Sequence, residues 1–185
     1  EEVLKFLDIK FDPPYEKLLD TSDGIEFPRW FGRADDGVRD PRADEGVRVP
    51  SESVRVPSAG LNITEMCLDR WQTDEMKDQP AVIWEGEDGN TETLTYAELL
   101  DCVVRVATNF REIGIEKGDA AGIHLPMIPE TVIALLAINR IGAIACPVFS
   151  GYGVEAMANR LDAVKAKLLI TFDGVTRRGK YIHAF

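Results

Sequence analysis

The chain has 185 residues, 45% of them apolar and 29% charged, a balance that suits a globular protein with one sizeable core or part of a larger one. A formal net charge of −11 repels polyanions and argues against general nucleic-acid binding. No apolar run approaches the roughly 18 residues of a bilayer span, and the start at Glu1 and Glu2 lacks the basic and apolar regions of a secretory signal, so no membrane partner and a cytoplasmic location are expected.

Residues 1–32 form an amino-terminal segment, with the spacing of an amphipathic start at Val3, Leu4, Phe6 and Leu7 and an aromatic stretch around Trp30. Residues 33–60 differ in kind. Val-Arg-x-Pro recurs at 38–41, 47–50 and 54–57, among Asp, Glu, Gly and Ser. The spacing is too irregular for a solenoid, and so few apolar groups cannot offset ordering entropy, so a disordered insertion is expected.

The folded part is expected over 61–185. Asn62 or Thr64 caps a predicted helix running to about Lys77, with Met66, Leu68, Trp71 and Met76 as its apolar positions. Strands at 81–85 and 91–95 around the turn 86–90 make a hairpin. Thr95-Tyr96-Ala97-Glu98 is a capping box, and Leu94 and Leu99 are placed to staple across it. Leu99, Leu100, Val103, Val106, Ala107 and Phe110 continue at helical spacing until Gly114.

From there strands at 120–125, 143–148 and 167–172 alternate with helices from Pro129 to about Arg140 and over 153–164. The first of these helices is apolar most of the way round and should be buried. The expected fold class is α/β: a β-hairpin followed by a βαβαβ parallel sheet flanked by helices, with right-handed crossovers. Trp71 and Trp84 read as core or hairpin anchors, given the area a tryptophan buries. Met127, between two prolines, reads as fixing a turn, and Asp119 as a cap or turn before its strand.

The odd, scattered cysteines Cys67, Cys102 and Cys146 suit buried thiols better than a disulfide framework or a zinc site. Neither His124 nor His183 has a second ligand at metal spacing, so no metal site is expected. Charge is unevenly spread. From Lys165 onward stand five cations, Lys165, Lys167, Arg177, Arg178 and Lys180, against one acid, Asp173. Arginine outnumbers lysine beneath an acidic excess, a composition that suits a halophilic cytoplasm.

In a parallel sheet, ligands bind outside the carboxyl ends of the strands. That edge should gather the loops 126–128, 149–153 and 173–180. The middle loop offers glycines and then a helix start that favours anions, and the last brings Arg177, Arg178 and Lys180. A flexible anion-binding lip is the functional reading, and a solvated basic turn the bland one. Gly151-x-Gly153-x-x-Ala156, with Asp173 ending the next strand, also fits a dinucleotide fingerprint and an NAD-binding domain. In a dinucleotide fold, however, that motif belongs to the first strand–helix turn, and here it follows the second.

A longer series of motifs resembles the acetyl-CoA synthetase branch of the AMP-forming acyl-CoA synthetases. It comprises Asn62-Ile63-Thr64, Cys67-Leu68-Asp69-Arg70, Ala81-Val82-Ile83-Trp84-Glu85-Gly86 and Leu94-Thr95-Tyr96-Ala97-Glu98-Leu99. It continues in the same order through Gly114-Ile115-Glu116-Lys117-Gly118-Asp119, Pro126-Met127-Ile128-Pro129-Glu130, Arg140-Ile141-Gly142-Ala143, Phe149-Ser150-Gly151-Tyr152 and Asp173-Gly174 to Lys180. The opening aromatic segment is also similar to that family's, and the insertion at 33–60 departs from it.

The resemblance implies the large-domain fold of adenylate-forming enzymes, present in part. Such enzymes join a carboxylic acid to ATP, with Mg, as an acyl-adenylate, and then pass the acyl group to CoA. Their phosphate loop, adenine-binding segment and catalytic carboxyl-terminal domain come later in the chain, and no Ser/Thr-Gly-Thr-Thr-Gly-x-x-x-Gly run occurs here. The expectation is therefore an amino-terminal fragment without catalytic residues, inactive alone and completed by the remainder of a synthetase, which a separate chain would supply in a split enzyme. The alternative is a stand-alone CoA-binding or partner-binding module. By resemblance CoA is the only cofactor with candidate contacts: Gly151 approaching it, and Arg177 and Lys180 holding its phosphates, with Arg178 in support. Lys180 stands where an arginine is common, which exchanges a bidentate contact for a point charge.

Overall fold

The computed structural model describes residues 17–20, 29–32 and 62–184, in a chain that divides into two units, Glu1–Leu61 and Asn62–Phe185. In the first unit β1 (Lys17–Asp20) pairs antiparallel with β2 (Arg29–Gly32), which sets Leu19 opposite Trp30. The expected insertion at 33–60 and the amphipathic start lie outside the described residues.

The second unit begins on one asparagine with two jobs. The Asn62 side-chain oxygen accepts from the Thr64 N–H at 3.0 Å and its hydroxyl at 2.7 Å, capping α1 (Ile63–Cys67). Its amide nitrogen donates to the carbonyls of Asn139 and Arg140, each at 3.2 Å, at the end of a later helix, where carbonyls lack their full set of intrahelical donors. The expected helix to Lys77 does not continue. It ends at Leu68, fully buried with φ −137°, and a 3-10 turn over Asp69–Trp71 follows. The reason is tertiary. Arg140 reaches both Asp69 carboxylate oxygens at 2.9 Å, and the Gln72 amide bridges the Leu68 and Tyr96 carbonyls. These bonds hold the segment in a path that helical periodicity does not describe.

Next, β3 (Pro80–Glu85) and β4 (Thr91–Thr95) form the expected hairpin. Thr95 then caps α2 (Tyr96–Glu112) with both arms of the box made. Leu99, Val103, Ala107 and Phe110 are its buried face, and Leu94 packs against the same core. The parallel sheet consists of β5 (Ala120–His124), β6 (Ile144–Pro147) and β7 (Leu168–Thr171), in the order β6-β5-β7. Between β5 and β6 runs α3 (Pro129–Arg140), and α4 (Val154–Ala163) links β6 to β7. The flanking α3 packs against β5 and β6 on one side and α2 on the other, which is why it is apolar over so much of its circumference.

Val103 and Ile138 expose none of their surface, and burial of that kind stabilises by about 1.5–3 kcal/mol per side chain. Gly122, in the central strand, admits α4 closely: a Cβ there would meet the Leu161 and Leu169 side chains. The cysteines differ from expectation. Cys67 is exposed and Cys102 and Cys146 are half-buried, because Cys67 closes a short helix and Cys146 lies on β6, one of the two edge strands of the sheet among the described residues.

Candidate site at the carboxyl edge of the sheet

The chain leaves β5 toward β6 on one side and then crosses back to β7 on the other. At such a reversal ligands bind beyond the carboxyl ends of the strands. His124 and Thr171 end β5 and β7 at that edge, with the His124 Nδ1 3.1 Å from the Thr171 hydroxyl and the imidazole 5.3 Å from the Phe172 ring. His124 is 3% exposed, and its Nε2 has no hydrogen-bond partner among the described residues. Sequence reasoning weighed this histidine only as a metal ligand. Its place opposite Thr171 required the strand order.

On the β6 side, the loop after the strand carries Phe149 and Tyr152, exposed and edge-to-face at 5.5 Å, with Arg160 lying 4.2 Å over the Tyr152 ring. Gly151 is exposed between them, and the Phe149 ring stands 2.5 Å from where its Cβ would be. A side chain there would push the exposed Phe149 ring aside, so glycine suits the present packing of this loop. Trp84 anchors the neighbouring loop by donating to the Met127 carbonyl at 2.7 Å, which satisfies its hairpin-anchor reading.

On the β7 side, the expected flexible loop at 173–180 is instead a hairpin. β8 (Gly174–Arg177) and β9 (Lys180–His183) pair antiparallel around a two-residue turn, Arg178-Gly179, and the Ala184 N–H closes its base on the Asp173 carbonyl. The low apolar content hid these strands. They are paired through backbone, with Tyr181 lying across Gly174 and edge-on to His183 at 4.8 Å. Arg178 has φ +52° and Gly179 φ +70°, the mirror-image turn that suits strand twist and ordinarily takes Asn-Gly.

Arg177 and Lys180 are direct cross-strand partners, so like charges face each other, which disfavours the pair. Among the described residues no carboxylate pairs with the side chains of Arg177, Arg178 or Lys180. The sole acidic contact at the tip is the Glu87 carboxylate, from the β3–β4 turn, accepting the Arg178 backbone N–H. Arg177, Arg178, Lys180, Tyr181 and Ile182 line a concavity of about 600 Å3.

Three of the four sequence-derived site residues, Arg177, Arg178 and Lys180, are thus brought together, and Gly151 is not among them. Gly151 shares the carboxyl edge but follows β6, with β5 between it and the hairpin strand's predecessor. Two strand spacings separate β6 from β7, about 10 Å. The same order undoes the dinucleotide alternative. Its glycine turn follows β6 and its acid Asp173 follows β7, and those strands are not neighbours. A second concavity of about 440 Å3, around Asn62, Asp69, Arg111 and Arg140, lies at the carboxyl end of α3, toward the opposite edge. No cluster of three His, Cys, Asp or Glu side chains arranged for a metal ion occurs among the described residues.

Comparison with known proteins converges on one group. The family model described as AMP-binding enzyme matches residues 69–184. An acetyl-coenzyme A synthetase of Deinococcus radiodurans is 47% identical over 119 residues, 64% of this chain and 18% of the relative. One from Streptomyces avermitilis is 46% identical over 120 residues, 65% of this chain and 18% of that protein. Among solved structures, acetoacetyl-CoA synthetase from Streptomyces lividans superposes with a TM-score of 0.75 at 27% identity, covering 98% of this chain and 24% of that one. The chain therefore spans about a fifth of the length of the curated relatives it matches.

Proposed function

The chain belongs to the AMP-binding enzyme family, and on that premise we propose that it supplies the CoA-phosphate-binding edge of an ATP-dependent, AMP-forming acid–CoA ligase for an acetate-like substrate. The observation that carries this reading is the β8–β9 tip. Two like charges sit directly opposite, a third occupies a left-handed turn position, and none is neutralised through its side chain among the described residues. The first two features disfavour the hairpin, and all three serve a phosphorylated ligand. On a chain of net charge −11, a local cationic concavity also gathers a polyanion that the rest of the surface repels.

Arg177 offers a planar fork to a phosphate, Lys180 a point charge beside it, and Arg178 a third cation at the turn. Gly151, which follows β6 and is set apart from β7 by β5, leaves backbone open to another part of an extended cofactor. CoA is long as well as phosphorylated, as a ligand that contacts both segments has to be. In the complete enzyme ATP, with Mg, activates the carboxylic acid and CoA accepts the acyl group. Residues lying outside this chain perform the adenylation, the chain alone is inactive, and in a split enzyme a separately encoded remainder is its partner. The working location is the cytoplasm. No helix among the described residues is long and apolar enough to cross a membrane.

The test compares CoA with dephospho-CoA in calorimetric titration of the wild-type chain and of the Arg177→Ala/Lys180→Ala double variant. The expected result is tighter binding of CoA by the wild type, about tenfold or more for two charge-assisted phosphate contacts, with the preference abolished in the double variant. Equal affinity for the two ligands in the wild type overturns the assignment of these side chains to the terminal phosphate.

A further inference from the structure

The backbone N–H of Arg178 is not used by the ladder of its own hairpin, in which Arg177 pairs with Lys180. At the first position of a two-residue turn such a group ordinarily goes to solvent. Here it is taken by a carboxylate from another hairpin 91 residues earlier in sequence, Glu87, in the turn between β3 and β4. The carboxylate thereby sits at the turn that carries Arg178, next to the cross-strand pair Arg177 and Lys180, and is held there by the backbone donor and not by an ion pair. Its oxygen makes the kind of contact that a phosphoryl oxygen makes: acceptance from a main-chain N–H, in the field of nearby guanidinium and ammonium groups.

Resting on the phosphate-binding reading above, we propose that Glu87 is an internal occupant of the phosphate site: its carboxylate stands in for a phosphoryl group in the free protein and is displaced when the phosphorylated ligand binds. Glu87 lies on an exposed turn, so it swings away without disturbing the core. The exchange trades one anion on the Arg178 N–H for another carrying more charge. A monoanion competes weakly, while a phosphate monoester or pyrophosphate, with its greater charge and several acceptors, competes well. Glu87 thus acts as a filter for highly charged ligands, and its negative charge lowers affinity for all of them.

Two variants separate this role from that of a brace. Glu87→Gln keeps an oxygen that accepts the Arg178 N–H but removes the charge, and Glu87→Ala removes both. In calorimetric titration with CoA, both variants are expected to bind about two- to fivefold more tightly than the wild type, the size of one exposed charge interaction. With inorganic pyrophosphate added to the wild type, the Arg178 amide resonance is expected to shift as the carboxylate leaves. Weaker binding by Glu87→Ala with unchanged binding by Glu87→Gln would make the residue a structural brace, and unchanged binding by both would make it a bystander; either sinks the inference. The Arg177→Ala/Lys180→Ala variant keeps the two readings apart. If it retains wild-type affinity for CoA, the phosphate-binding reading itself has failed, and if it binds weakly while the Glu87 variants do not tighten, only the role of Glu87 has.

Discussion

At the scale of single residues, the tip of the β8–β9 hairpin departs from local optimum in a way that invites measurement. Arg178 occupies a left-handed backbone position, φ +52°, that Asn or Gly fills at lower cost. The substitution Arg178→Asn should stabilise the chain by about 0.5–1 kcal/mol, visible as a raised urea midpoint at unchanged slope. It should also weaken binding of CoA, because the third cation is gone. A stability gain without loss of affinity would assign Arg178 to solvent and leave Arg177 and Lys180 as the phosphate contacts. Asn62 shows the opposite relation between residue and fold. Its cap was legible in the sequence, because Asn before an apolar helical start is a local signal. Its two bonds to the carbonyls of Asn139 and Arg140 were not, since they span 77 and 78 residues.

At the scale of elements, what the sequence revealed follows how local the determining interactions are. The capping box, the staple and the periodic apolar face of α2 all lie within Leu94 to Phe110, and the helix formed as expected. The strands of the sheet announced themselves by apolar runs bounded by glycine and proline. The failures have two causes, a distant partner in one case and the lack of an apolar pattern in the other. The segment after α1 is bent by Asp69 pairing with Arg140, 71 residues away, and β8 and β9 are too polar to register as strands alone. Among the candidate site residues, Arg177, Arg178 and Lys180 were legible as a charge cluster. Glu87 was not, because nothing near residue 87 marks it as facing residue 178.

The local box on α2 makes its own prediction. Thr95→Ala should cost about 1 kcal/mol of helix stability. Hydrogen bonds from the Thr95 backbone N–H and then from its hydroxyl hold the Glu98 carboxyl below its ordinary range. A carboxyl lowered in the folded state contributes stability that is present above its unfolded pKa and is lost as pH falls through the folded one. The box should therefore weaken only on the acid side of the carboxylate range. In thermal melts across that window, Glu98→Gln should flatten the acid-side loss relative to wild type, and an unchanged slope would show that the box is not what titrates. Lys167 has the reverse sign. Its hydrogen bond to Asp119 raises it, so its contribution persists below the ordinary lysine range and fades only in strong alkali.

For the whole molecule, the question is what a chain covering about a fifth of its relatives does with the surfaces it presents. Among the described residues β5 is the only strand of the parallel sheet paired on both sides, and β6 and β7 each have one partner. Large apolar side chains stand open beside these elements: Ile144 is 55% exposed on β6, Val154 75% at the start of α4, and Ile83 74% on the first hairpin. Free strand edges flanked by apolar side chains are templates for pairing with another chain. Net charge opposes that tendency, since a chain at −11 repels its own copies, but the repulsion is screened beyond about 8 Å at physiological salt. Salt therefore decides which force wins. Sedimentation velocity of the chain should show a monomer at low ionic strength and low concentration, and reversible or progressive association as salt is raised. A monomer at every ionic strength, unfolding sharply and reversibly, would mean that these edges are already covered and that the chain is a self-sufficient binding module rather than part of a larger synthetase domain.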